Sequence, residues 1–142
     1  MKNLFVSILL LLSLQFAAHA QQIDMFGNIE YHLDLKANKA TIQVEKIKNH
    51  NADGSCGTLK LVLFFTTEKY VSGELNGYIV SEYQLSDVLK GGEYFYKIKR
   101  TVDFVSPPAG QYFVTLVLTE WNGTESTLAD FINFKQQVTI KE

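Results

Sequence analysis

Residues 107–123 read PPAGQYFVTLVLTEWNG, a long apolar run between two turn signals. A proline-rich turn opens it and an Asn-Gly pair closes it, and both are backbone-reversing signals. The β-branched, aromatic and leucine residues between them are typical of a strand. Tyr112 stands just past the turn, two residues after Gly110. A tyrosine at that place in Ig-like sandwiches bonds back to the corner backbone, so we assign Tyr112 to folding.

The same kind of run recurs on both sides of this stretch, with a dominant period of two and with Gly, Asn, Ser and Pro in the gaps. About seven short strands without an amphipathic helix predict an all-β protein, an Ig-like or fibronectin-like antiparallel β-sandwich. Two irregularities are expected: a bulge where the alternation slips at Lys46-Ile47, and a break in the last run near 135–137. The runs are 29–35, 40–47, 59–65, 78–83, 94–104, 112–121 and 131–140.

The N-terminus predicts export. Lys2 precedes an apolar run over 4–14, and Ala18 and Ala20 supply the small residues that a signal peptidase reads. The run is too short to span a bilayer, which needs about 20 apolar residues. We therefore expect a signal peptide over 1–20 and a single domain over 21–142, secreted or periplasmic.

Charge and composition exclude several partners. The formal net charge is −2, and removal of Lys2 makes it one unit more negative. A mildly acidic chain without basic clusters disfavours nucleic acid. No second apolar run predicts a membrane span. Cys56 is the single cysteine, and its role is open between a loop thiol and an intermolecular disulfide.

The loop before the third run contains residues that could form a catalytic pair or a calcium site, but neither pattern is complete. His50 and Cys56 could form a thiolate pair, but no third group orients them. Residues 49–54 resemble the first half of a calcium loop, yet its twelfth position is Lys60 instead of a bidentate carboxylate. We predict no catalytic residue, no cofactor and no metal ligand, and therefore no enzyme.

Aromatic and aliphatic residues on the predicted strands suggest two surfaces. The first, on the outer face of the two central strands, is too apolar for a solvated face, and it predicts contact with a protein partner or a second copy. A loop over 68–75 that folds across this face is the alternative. The second is an aromatic platform for carbohydrate, formed by Tyr94 and Tyr96. The first surface comprises Val62, Phe64, Phe113 and Val117, with Trp121 at its rim.

Several stretches resemble a β-sandwich accessory domain of secreted bacterial exoenzymes, notably proteases. The resemblance covers roughly residues 40–134 and is carried by turn and core residues, so it implies a fold and no active site. It departs at 60–65, which is more apolar here, and no catalytic module accompanies the domain. The similar stretches are 47–49, 57–59, 77–78, 83–85, Leu89, Gly92, Tyr94, 107–112, 116–120 and 130–134.

These observations together favour an exported, non-catalytic binding or protein-interaction module. A carbohydrate- or substrate-binding domain that uses exposed aromatics is one alternative. A small inhibitor or chaperone of an exported enzyme is another.

Overall fold

The structure is a computed structural model, and it describes residues 22–142. The predicted signal peptide, residues 1–20, and the predicted new N-terminus at Gln21 lie outside the described residues. The described chain forms eight strands. They are β1 (Ile23–Asp34), β2 (Lys39–Asn49), β3 (Leu59–Thr66), β4 (Tyr78–Gln84), β5 (Tyr94–Asp103), β6 (Gly110–Trp121), β7 (Ser126–Asn133) and β8 (Val138–Ile140).

The strands form two antiparallel sheets. One has the order β1-β2-β5, and the other has the order β4-β3-β6-β7, with β8 pairing the start of β6. Placing the first, second and fifth strands in one sheet, and the third, sixth and seventh in the other, is the Ig-like arrangement. The predicted β-sandwich is confirmed. The count is eight because the last run breaks at 134–137 into β7 and β8, near the predicted position.

The core lies between the sheets and is densest where β3 pairs with β6. Leu61, Leu63 and Phe65 of β3 are completely buried, as are Leu116 and Leu118 of β6. Because side chains alternate across a strand, these residues share the inner face. Each fully buried leucine or phenylalanine contributes about 1.5–3 kcal/mol relative to exposure. The central pair of strands therefore supplies a large part of the core.

The corner predicted at Tyr112 is present. Its hydroxyl donates to the Pro108 carbonyl oxygen at 2.6 Å. Its ring centre lies 5.7 Å from that of Phe65 and 5.9 Å from that of Tyr78. The side chain is 4% exposed, so one residue both closes the turn and fills the end of the core.

Polar links close the two open sides of the sandwich. On the β1–β7 side, the Met25 amide donates to Oδ2 of Asp130 at 2.8 Å. On the β4–β5 side, Ser81 Oγ donates to the Asp103 carbonyl at 2.8 Å, and the Val105 amide donates to the Val80 carbonyl at 2.8 Å. Each link satisfies a backbone group at a sheet edge, where it has no neighbouring strand.

Candidate binding surfaces

The first predicted surface lies on the outer face of the five-stranded sheet. Val62 and Val117 are paired across β3 and β6, and they are only 5% and 3% exposed although neither belongs to the inner core. Phe64 and Phe113 are half-buried. The expected open patch is therefore covered at its two valines and accessible only in part at its two phenylalanines.

The cover is the loop between β3 and β4, residues 67–77. Its Tyr70 packs edge-on against Phe131, with ring centres 4.7 Å apart, and Phe131 pairs with Val117 in the sheet. The side-chain amide of Asn133 donates to the Tyr70 carbonyl at 2.7 Å, and the Asn133 oxygen accepts from Thr115 Oγ1 at 2.7 Å. This anchoring explains the burial of the valines. A loop that folds across this face was the alternative interpretation of the sequence.

One part of this outer face stays open. Ile79 of the edge strand β4 pairs with Phe64 and is 53% exposed. Trp121 is 46% exposed but stands at the opposite end of β6 from Phe113. Eight residues of strand separate the two, roughly 27 Å at 3.4 Å per residue. Trp121 therefore lies at the end of this face, closer to Val117 than to Phe113, and its place at the rim of a binding surface stays a prediction.

The second predicted surface is assembled on the outer face of the other sheet. Tyr96 pairs with Lys46, and Lys46 pairs with Phe26, so these three side chains form one row across β5, β2 and β1. Tyr94 lies in the next row beside Lys48. Phe26, Tyr94 and Tyr96 are 38%, 53% and 57% exposed, a concentration of aromatic surface that the solvated face of a sheet does not require.

Lysine side chains lie on these rings. Nζ of Lys46 is 4.0 Å from the centre of the Tyr94 ring and 5.4 Å from that of Phe26. Nζ of Lys97 is 5.3 Å from the Tyr96 ring centre. These distances lie within the range of cation–π attraction, which holds both ammonium groups at the surface. We call the set Phe26, Lys46, Tyr94, Tyr96 and Lys97 the aromatic–lysine face.

Backbone irregularities in all three strands position this face. Gly27 has φ +84°, and one extra residue of β1 opposes β2 between Phe26 and Ile29, the arrangement of a glycine bulge. Lys97 has φ +54° within β5. Across this line, the inward residue of β2 changes from Val44 to Ile47 and that of β5 from Phe95 to Ile98, so these two strands shift their phase together. The predicted bulge is confirmed, and it lies on the β1 side of the pair.

A hydrogen bond between a histidine and an aspartate borders the face. His50 Nε2 lies 2.7 Å from Asp24 Oδ1, and its ring centre is 6.3 Å from that of Phe26. Both side chains are more than two-fifths exposed. Phe26 and Asp24 could not be recognised as part of this surface from the sequence, because the predicted first strand began at residue 29.

Cys56 and His50 have separate partners. Sγ of Cys56 accepts a hydrogen bond from the Leu89 amide at 3.2 Å, whereas His50 pairs with Asp24. Cys56 is 8% exposed, and this burial raises the pKa of its thiol. An activated nucleophile needs the opposite shift, so this arrangement favours packing over reaction.

The loop that resembles half of a calcium site is organised by a buried asparagine. Asn49 is 0% exposed, its Nδ2 donates to the Leu89 carbonyl at 3.0 Å, and its Oδ1 accepts from the amide of Asn51 at 3.0 Å. The oxygen that a calcium ion would need is thus engaged in holding the loop. Among residues 22–142, no group of three or more His, Cys, Asp or Glu is placed to hold a metal ion.

A cleft of about 550 Å³ opens between the edges of β4 and β5, with Ile79 and Val105 on its walls. Lys39 and Asp103 lie at its margin, 2.6 Å apart and largely exposed. The hydrogen bond and charge of Lys39 lower the pKa of the Asp103 carboxyl. The Asp103 carboxylate is therefore ionised at neutral pH and paired with the Lys39 ammonium.

No protein-family model, curated protein or solved structure matches this chain. In the part of the chain that the structure describes, no helix has the length and hydropathy needed to span a bilayer. The resemblance to an exoenzyme accessory domain stays a prediction from the residues.

Proposed function

We propose that this chain is an exported, non-catalytic binding module whose binding surface is the aromatic–lysine face. Export is supported by the signal-peptide pattern of residues 1–20. The binding role is supported by one observation: Phe26, Tyr94 and Tyr96 stand exposed around Lys46 on one side of the β1-β2-β5 sheet.

The exposure of these aromatic rings to water is unfavourable, and this supports a binding role for the face. Tyr94 and Tyr96 leave more than half of their surface in water, although the inner face between the sheets takes up most other large apolar residues. Exposed aromatic surface concentrated at one place marks an interaction site more often than scattered apolar residues do. Tyrosine also joins an apolar ring to a hydroxyl, which suits contact with a ligand that is partly wet.

A retention experiment tests this function. The domain over 21–142 would be immobilised, exposed to a polysaccharide array and to purified envelope proteins, and compared with the Tyr94→Ser, Tyr96→Ser double variant. Trp121→Ser is the matched control, because Trp121 is 46% exposed on the opposite sheet. The double variant should lose the retained ligand and the control should keep it. If the double variant and the control retain the ligand equally, the aromatic–lysine face is not the binding surface.

A second candidate function is a contact with a protein partner or a second copy through the outer face of the β4-β3-β6-β7 sheet. Phe64 and Ile79 are paired there, and Ile79 is 53% exposed. Light scattering of the Phe64→Ser, Phe113→Ser double variant separates the two candidates. A folded variant that loses an assembly present in the wild type supports this contact, and unchanged assembly excludes it.

A further inference from the structure

We propose that the ligand of the aromatic–lysine face is an acidic polysaccharide, a chain of sugars that carry carboxylate groups. This inference rests on the proposed function and names the class of ligand for the same face. Three features of the face carry it: the central position of Lys46, the lysine ammonium groups that contact the rings, and its shape.

A lysine occupies the centre of the aromatic cluster. Nζ of Lys46 lies between the rings of Tyr94 and Phe26, at 4.0 and 5.4 Å from their centres. Lysine is depleted at protein–protein interfaces, because its strongly hydrated ammonium is costly to desolvate. A bound polysaccharide leaves water around the ammonium group, and a carboxylate can accept hydrogen bonds from that group. The centre of the face therefore suits a hydrated anion better than a packed protein surface.

The charged groups in contact with the three rings are lysines, Lys46 over Phe26 and Tyr94 and Lys97 over Tyr96. The chain has a formal net charge of −2, whereas Lys46, Lys48, Lys97 and Lys99 all lie on this part of β2 and β5. Within residues 22–142, the contacts shorter than 4.0 Å between basic and acidic side chains involve Lys39, His50 and Lys60, and none of these four lysines.

Four carboxylates border the face, and each keeps its negative charge, but none is in recorded contact with the three rings. Asp24 is engaged by His50. Glu93 accepts a hydrogen bond from the Lys90 amide, and Glu30 accepts one from Asn28. Glu45 lies beside Gly27 at the bulge. A ligand stacked on the rings therefore lies against the ammonium groups of Lys46 and Lys97.

The shape is flat and extended. Tyr94 and Tyr96 are two residues apart on β5, about 7 Å along the strand, and Phe26 is two strands away, about 10 Å. The three rings thus span more than one sugar unit. Sugar rings have apolar C–H faces that stack on aromatic rings. A chain laid across the rings would place its carboxylates beside Lys46 and Lys97.

The test uses polygalacturonate and its fully methyl-esterified form, which has the same sugar backbone without the charges. Isothermal calorimetry would compare the wild-type domain with Lys46→Gln, and with Lys60→Gln as the control on the opposite sheet. We expect the wild type to bind the acid and to bind the ester at least about tenfold more weakly, as expected when a charge-assisted hydrogen bond is lost. Lys46→Gln should show the same loss toward the acid, and Lys60→Gln should bind like the wild type.

Three results would overturn the inference. They are equal binding of acid and ester, equal weakening by Lys46→Gln and Lys60→Gln, and no binding of the acid at low salt. None of these removes the proposed function, because the tyrosine double variant on the array tests the face with ligands of any class. If that double variant retains every ligand of the wild type, the proposed function fails, whatever polygalacturonate does.

Discussion

Asn133 holds the loop at Tyr70: its side-chain nitrogen donates to the Tyr70 carbonyl at 2.7 Å, and its oxygen accepts from Thr115. Thr115 is completely buried on the outer side of its sheet. This pair of bonds closes the face that contains Val62 and Val117. Asn133 therefore links the covering loop to the sheet, together with the packing of Tyr70 on Phe131.

Replacing Asn133 by alanine should lower the free energy of unfolding by about 1–3 kcal/mol, because the buried Thr115 hydroxyl and the Tyr70 carbonyl both lose their partner. Urea denaturation measures the loss. Gln136→Ala, at an exposed position three residues along, is the control. Limited proteolysis should also cut the loop over 67–77 sooner in Asn133→Ala. Unchanged cleavage would show that the loop is held by other contacts.

Tyr112→Phe removes only the hydroxyl that bonds Pro108. The expected loss in the free energy of unfolding is about 0.5–1.5 kcal/mol, the net value of one hydrogen bond. Tyr94→Phe is the matched control because Tyr94 is 53% exposed. Denaturation midpoints that agree for wild type and Tyr112→Phe would mean that the corner does not depend on this bond.

Asp130→Asn should alter how stability depends on pH. Burial raises the pKa of Asp130, with a smaller contribution from the charge of Asp24 and opposition from two amide donors. An unfolded aspartate titrates near 4. The stability from the raised pKa is therefore fully present below about pH 4 and is lost as pH rises through the folded value. The variant cannot ionise, so its stability relative to the wild type should increase between about pH 4 and 7.

Thermal or urea denaturation across that range measures this difference, and Asp87→Asn is the control at an exposed carboxylate. The amide oxygen of the variant can still accept from Met25, so the link between β1 and β7 is kept. A constant difference at every pH would show that Asp130 ionises as it does in the unfolded chain.

Gly27→Ala tests the bulge beneath the aromatic–lysine face. Gly27 has φ +84°, and an added Cβ would overlap the side chain of Glu45. We expect a loss of about 1–3 kcal/mol from backbone strain and displacement. Gly73→Ala is the control, since Gly73 has φ +81° with no atom within 4 Å of its Cβ position. If both variants lose equal stability, only the backbone angle matters and the contact with Glu45 does not.

Processing is the remaining prediction. Ala18 and Ala20 occupy the small-residue positions before a cleavage site, so the exported chain should begin at Gln21. N-terminal sequencing or the intact mass of protein from the periplasm or medium measures this. Recovery of the uncut chain from the membrane fraction would contradict it.

The parts of the fold that follow local rules could be predicted. Alternating apolar residues in β3 and β6 predicted the core, the turn before Tyr112 predicted the corner, and the slip at Lys46-Ile47 predicted a bulge. Contacts between distant segments could not be predicted this way. Nothing local shows that Tyr70 reaches Phe131, or that Phe26 lies two strands from Tyr96. The exposure of Val62 was therefore overestimated, and the aromatic platform was predicted without its phenylalanine and lysines.

The line of irregular backbone through Gly27 and Lys97 has a consequence for the protein at high concentration. Both outer strands of the three-stranded sheet, β1 and β5, carry one residue in the left-handed region. A strand from another molecule needs a straight, regular row of backbone donors and acceptors to add to an edge. These two edges present interrupted rows, which protects this sheet against growth into aggregates by successive strand addition.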